Sequence, residues 1–235
     1  MNCSRLLLIA LVWLAEVAGA RAQMVNVRLE IQMVAVPNEL ALALSQDLQN
    51  PGRIDAAYDK IQTLLAQGTA KLIGWPIITT KSGNRAVIEA IEEVRYATEY
   101  EPPTVSVESA LSSSKSAKLT PQVDVTSFEG VPSAFETRNV GVTFEVEPVI
   151  GPDGKTIDLN LVPQHVRLQG FRKHTLEKSG NKAKITVEQP QFETHKVTTS
   201  LSIRSGRRVL LGIYPTEEPP NHIEFVILKA EVVPV

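Results

Sequence analysis

Residues Met24 to Val36 read MVNVRLEIQMVAV, in which Val25, Val27, Leu29, Ile31 and Met33 alternate with Asn26, Arg28, Glu30 and Gln32. A period of two is that of a strand with one face buried. It binds the chain tightly, because a slip of one residue would turn the whole apolar set to water. The pattern returns in Phe135–Pro148 (FETRNVGVTFEVEP), Thr156–Val162 (TIDLNLV), Phe192–Arg204 (FETHKVTTSLSIR) and Ile223–Val233 (IEFVILKAEVV). From Val123 onward the chain reads as strand after strand. The fold expected is mainly β with a small α component.

The α component is two helices near the N-terminus. Pro37 ends the first strand, and Asn38 can cap the helix NELALALSQDLQ, which stops at Asn50-Pro51-Gly52. Ile54, Ala57, Tyr58, Ile61, Leu64 and Leu65 then fall on one helical face. Gly68 sits where a left-handed C-cap belongs. Ala70–Thr80 and Arg85–Arg95 read as the arms of a hairpin around Lys81-Ser82-Gly83-Asn84, with Pro76 marking an edge position or bulge. Tyr96 to Pro103 breaks the pattern. Ser106–Thr120, rich in Ser, Ala and Lys, reads as a flexible loop, and the basic stretch Phe171–Lys184 as a long hairpin tip or loop.

The first 22 residues read as a signal peptide. Arg5 precedes the apolar run Leu6–Ala15, which is short for a membrane span, and Ala20-Arg21-Ala22 fits small-x-small cleavage before Gln23. The single cysteine, Cys3, lies inside this peptide, so residues 23–235 are expected to have neither disulfide nor thiol chemistry. A net charge of −2 gives no general attraction for nucleic acid. Aromatic residues make up 5 % of the chain, too few for the girdles of a free-standing porin.

Two segments echo one another. Phe135-Glu136-Thr137-Arg138-Asn139-Val140 returns as Phe192-Glu193-Thr194-His195-Lys196-Val197, and Lys81–Ile88 as Arg204–Leu211. The copies suit strands in similar environments, as neighbours in one sheet. Catalytic signatures are absent: there is no HExxH, GxSxG or phosphate-binding glycine loop. His165, His174, His195 and His222 are dispersed without ligand spacing, and Glu89, Glu92 and Glu93 read as a solvated face. No metal, cofactor or catalytic residue is expected. Arg172, Lys173, Lys178, Lys182 and Lys184 form a basic cluster suited to a solvated hairpin tip or to lipid headgroups.

The order of these segments resembles the secretin family of bacterial type II and III secretion systems and pilus machines. The run Pro132–Pro148, with Phe135, Val140, Gly141 and Pro148, is similar to the family's "vGv-l-v-P" strand. Gly151–Pro163, with Gly154, resembles its turn and next strand. Gln189–Leu201, with Phe192 and Val197, resembles "P-f-t-r-v-t-t-v-v". Ser205–Gly212, with Gly206 and Gly212, resembles "dGqtvvlGG". Upstream, Val27–Val36 and Ala70–Ile88, with Gly83, match the opening strand and the "a-vls-P-v-t-t-nG-a-i" unit, and the Ala70–Arg95 hairpin resembles the family's inward gate region. The sequence departs from the family at Ile213, where a second glycine is usual, and at Tyr214–Asn221, which replaces a longer "vPfLgdiPvlG-lF" segment. No N-terminal ring modules are expected before Gln23, so the chain reads as a short stand-alone form.

The resemblance implies a secretin-like domain over residues 23–235 whose sheets contribute to an oligomeric β-barrel. Phe135–Val146, Thr156–Val162, Lys184–Val187 and Val197–Ile203 would be wall elements. It implies an exported, homo-oligomeric ring in the outer membrane, with secretion or pilus envelope proteins as partners. The alternative is a periplasmic β-rich scaffold that forms no pore. Pro163 and Arg167 interrupt the one stretch, Thr156–Phe171, otherwise long enough to span lipid.

Overall fold

The computed structural model describes residues 25–101, 128–129, 131–177 and 184–234. The expected signal peptide 1–22, the expected loop 106–120 and residues 178–183 of the expected tip or loop Phe171–Lys184 lie outside them. The described elements run β1 (Val25–Pro37), α1 (Asn38–Leu48), α2 (Ile54–Ala66), β2 (Lys71–Gly74), β3 (Ile77–Lys81), β4 (Ala86–Glu101), β5 (Phe128–Glu129), β6 (Val131–Ile150), β7 (Thr156–Glu177), β8 (Lys184–Lys196), β9 (Thr199–Arg204), β10 (Arg208–Thr216) and β11 (His222–Pro234). The protein is mainly β with two helices near its N-terminus, as the alternation predicts. Two compact units divide it. One takes the residues to Ile88, Glu145–Leu161 and those from Thr198; the other takes Glu89–Phe144 and Val162–Val197.

In the first unit a five-stranded sheet has the order β10-β11-β1-β2, with β3 also paired to β1. β1 and β11 pair antiparallel from Val25↔Pro234 to Pro37↔His222. Val27, Leu29, Ile31 and Met33 lie on one face of β1 and are fully buried; Val34 and Val36 are buried on the other. The second face meets the helices. Ala41, Leu44 and Leu48 of α1 and Ile54, Ala57, Tyr58 and Ile61 of α2 close over Val34, Val36, Phe225 and Ile227. Each such aliphatic side chain contributes about 1.5–3 kcal/mol on burial. The Arg208 guanidinium lies 3.9 Å over the Tyr58 ring and its Nη1 is 2.7 Å from Asp55 Oδ1, tying α2 to β10. Burial, followed by the Glu30 carboxylate, raises the Tyr58 pKa.

The helix ends follow local chemistry unevenly. Gly68, at φ 72°, donates to the Leu65 carbonyl while Thr69 donates to Leu64, the paired closure of a left-handed C-cap. Asn38 does not cap α1. Pro37 occupies the N-cap position, and the Asn38 N–H donates to the Asn221 carbonyl at 3.0 Å, because the pairing of Pro37 with His222 brings that carbonyl alongside. Pro76 separates β2 from β3, and the register on β1 shifts between Met33 and Val34, as a proline at a sheet edge requires.

The six-stranded sheet has the order β4-β6-β7-β8-β5, with β9 also paired to β7. Four expectations are corrected here. The segments around Lys81–Asn84 are not the two arms of one hairpin: β3 pairs with β1 and β4 with β6, so the chain changes sheet at this turn. The pattern does not break at Tyr96, since β4 runs to Glu101 with Tyr96 and Tyr100 held by partners distant in sequence. Phe171–Glu177 is strand, paired through Glu177↔Lys184. Phe192–Arg204 is two strands, β8 and β9, separated at Val197 and Thr198, although both keep one register on β7 and the Val197 N–H donates to the Pro163 carbonyl at 3.1 Å.

The echoed segments are not neighbours. Phe135–Val140 lies on β6 and Phe192–Lys196 on β8, with β7 between them. Both phenylalanine rings lie under a guanidinium, Arg95 over Phe135 and Arg138 over Phe192, but Phe135 is 48 % exposed whereas Phe192 also packs against Tyr96. The second echo does share an environment, that of a corner between sheets, since β9 pairs with β7 and β10 with β11.

Candidate assembly surface

The strongest chemical feature of the molecule is an unfilled edge. β4 ends the six-stranded sheet, and among the described residues no strand pairs with its outer side. Its 16 residues are exposed at Val87, Glu89, Ala90, Ile91, Glu92, Glu93, Arg95, Thr98, Glu99 and Glu101. At the far end of the order, among the described residues, β8 carries only the two-residue β5, in parallel register from Phe128↔Ile185. Such edges present rows of backbone donors and acceptors to any complementary strand. The five-stranded sheet ends in β10 on one side and in β2 and β3 on the other.

The second unit is folded over on itself. Tyr96 of β4 lies with its ring centroid 5.7 Å from that of Phe192 of β8 and its hydroxyl 3.2 Å from Glu136 Oε2. The Tyr100 hydroxyl donates to the Glu188 carbonyl at 2.9 Å. Arg138 of β6 covers the Phe192 ring at 4.7 Å and donates to Thr194 Oγ1 at 3.0 Å. Tyr96, Glu136, Arg138, Phe192 and Thr194 thus form one cluster, and Arg95 and Phe135 a second contact, with the guanidinium 4.5 Å over the ring.

The ten residues singled out in the sequence do not form one site; they mark corners and irregularities. Gly83 (φ 79°) donates to the Pro148 carbonyl at 2.7 Å, so these two meet. Gly206 (φ 82°) donates to the Ala230 carbonyl at 2.8 Å. The serine before each glycine completes the corner: Ser82 Oγ accepts from the Ile150 N–H and Ser205 Oγ from the Val232 N–H, both at 2.9 Å. Gly154 (φ 65°) closes the β6–β7 turn by donating to Gly151. Gly141 and Val140 lie on β6, where Gly141 passes the backbone of Ala90. Phe135 and Phe192 are placed as above, Val197 divides β8 from β9, and Gly212 follows the register shift between β10 and β11.

Asp153 braces the β6–β7 turn. Its carboxylate accepts from the Lys155 and Thr156 amides at 3.0 and 2.8 Å and from Thr156 Oγ1 at 2.7 Å. These hydrogen bonds, the Thr156 amide foremost, lower its pKa from 3.8 to about 2. Of the basic cluster, Arg172 and Lys173 lie on β7 and Lys184 on β8, with Lys173 Nζ 2.9 Å from Glu188 Oε1; Lys178 and Lys182 lie outside the described residues. No helix among the described residues is long and apolar enough to cross a membrane.

The histidines scattered in sequence are only partly scattered in space. His174 stands opposite Val187, and His222 Nδ1 is 2.8 Å from the Pro220 carbonyl. His165 and His195, however, are direct cross-strand partners on β7 and β8, with ring centroids 6.3 Å apart. The register shift between Leu168 and Gly170 is what sets these two residues against each other. Reading spacing along the chain alone missed it.

A family model described as bacterial type II and III secretion system protein, Secretin, matches residues 63–218, more than half of the chain. Among curated proteins no match was found. Similar solved structures include the type II secretin GspD from enteropathogenic Escherichia coli (11 % identity, TM-score 0.44, covering 97 % of this chain and 74 % of that one). Aeromonas hydrophila ExeD is similar at 12 % identity and TM-score 0.44, covering 97 % and 52 %. So is InvG, the secretin of the Salmonella SPI-1 type III secretion injectisome, at 10 % and 0.42, covering 99 % and 70 %. The chain spans between about half and three quarters of these chains' lengths. With the ordered strands, the glycine corners and a family model over most of its described length, the chain belongs to the secretin family.

Proposed function

We propose that this protein is a subunit of a homo-oligomeric outer-membrane ring through which secreted proteins or pili pass. In this reading residues 1–22 direct export and are removed, residues 23–235 form the secretin-like domain, and 106–120 is a flexible loop. The subunit has no catalytic role, and its partners are further copies of itself and other envelope proteins of a secretion or pilus machine. The observation that carries the reading is the open β4 edge. An edge of that length is a liability in a lone subunit and is satisfied when copies close into a ring, where every backbone group can pair.

A periplasmic ring or scaffold without a pore is the second reading. It is favoured by the charge exposed along β4, where Glu89, Glu92, Glu93, Arg95, Glu99 and Glu101 leave no apolar band for lipid. Membrane fractionation followed by gel electrophoresis of unheated samples tests both. Very large, heat-labile multimers in the outer membrane support the channel. Soluble multimers support the scaffold, and a monomer at every concentration overturns both.

A further inference from the structure

The β7–β8 hairpin carries two polar rungs on one face. His165 stands opposite His195, and two residues on, Arg167 stands opposite Glu193. All four side chains are half-buried. The Glu193 carboxylate bridges the rungs: Oε2 lies 2.5 Å from Arg167 Nη2 and Oε1 lies 3.5 Å from His195 Nε2. A ligand nitrogen of His165 lies within 4.8 Å of one on His195. The rings meet edge to face, at 73°, rather than stacking.

We propose that His165 and His195 chelate a divalent transition-metal ion. Imidazole nitrogen suits Zn²⁺, Cu²⁺ and Ni²⁺ and not Ca²⁺ or Mg²⁺. A tetrahedral ion held at about 2.0–2.1 Å from each nitrogen needs them about 3.3 Å apart. Side-chain rotation supplies that closure, because the strand register already fixes the two residues opposite each other. The neighbouring Arg167 cation opposes a metal charge, and the Glu193 carboxylate between them offsets it. Bound metal would clip β7 to β8 near the end of their ladder, where Gln164 faces Lys196. This site does not depend on the ring: it lies within one subunit.

The test is titration of the metal-free full chain with Zn²⁺ by calorimetry, with Cu²⁺ binding followed by electron paramagnetic resonance. One Zn²⁺ per chain is expected, with binding that weakens in acid as the imidazoles take up protons. His165→Gln and His195→Gln should each weaken it at least about tenfold, while His174→Gln, on the same strand, leaves it unchanged. The Cu²⁺ spectrum of the unaltered protein should show coupling to two nitrogens, a readout that stands even if a variant fails to fold. Absence of binding at millimolar Zn²⁺, coupling to fewer than two nitrogens, or equal loss in His174→Gln overturns the proposal.

Discussion

The Ser205 hydroxyl accepts a hydrogen bond from the Val232 amide at 2.9 Å. The bond is one of a pair, because Ser82 does the same for Ile150. In both corners the glycine that follows donates to the carbonyl two residues earlier on the receiving strand, Ala230 in one case and Pro148 in the other. The sequence echo around these serines is therefore a repeated device for carrying the chain from one sheet to the other. Removing either hydroxyl leaves a strand amide unsatisfied. Ser205→Ala and Ser82→Ala should each lower stability by about 1 kcal/mol, read as a shift in the urea midpoint. Threonine at either position should restore much of the loss.

Gly141 is a different case, set by space. A Cβ there would stand 2.2 Å from the Ala90 carbonyl oxygen and 3.1 Å from Ile91 Cα, and φ is 126°. Both atoms belong to backbone and cannot swing away. Gly141→Ala should cost at least about 1–3 kcal/mol from the dihedral alone, with the clash added. It should shift the denaturation midpoint more than alanine at Gly154, where a Cβ meets nothing within 4 Å.

The β6–β7 turn should respond to acid. Because the folded-state pKa of Asp153 lies at about 2, below its ordinary 3.8, its contribution is fully present above the ordinary value. It is lost as pH falls through about 2. Asp153→Ala should therefore be less stable than the unaltered protein at neutral pH, and the gap should close between about pH 4 and pH 2. Thermal melts across that range measure it.

Assembly should depend on the open edge. Val87 is 48 % exposed and Ile91 38 % exposed on β4. Lysine at either position charges the edge without disturbing a core. The expected outcome is loss of large multimers on unheated gels, with the melting temperature of the isolated subunit nearly unchanged. Retention of the multimers by the double variant would place the contact elsewhere.

Much of this architecture could be read from residues alone. The alternation in β1, the apolar face of α2 and the Gly68 cap are local effects, set within a turn or two of chain. Partner choice is not local. The turn at Gly83 was legible as a turn, yet nothing within Lys81–Asn84 says that β3 will pair with β1 and β4 with β6. Tyr96 and Tyr100 looked like a break because their partners, Phe192, Glu136 and Glu188, are far away in sequence. The His165–His195 rung was hidden for the same reason, being a product of register. Among the residues proposed for the site, glycines with positive φ were recognisable from turn chemistry, while the close approach at Gly141 required the neighbouring strand.

The 13-residue ladder between β1 and β11 has a consequence for how the polypeptide is made. Arg28 and Glu231, joined at 2.6 Å, are 203 positions apart. β1 emerges from the ribosome long before its partner exists, with one apolar face and one row of amides waiting. The helix-covered core around Val34, Val36, Phe225 and Ile227 cannot close until β11 has been made. Closure of this sheet is therefore slow in the way of long-range pairing.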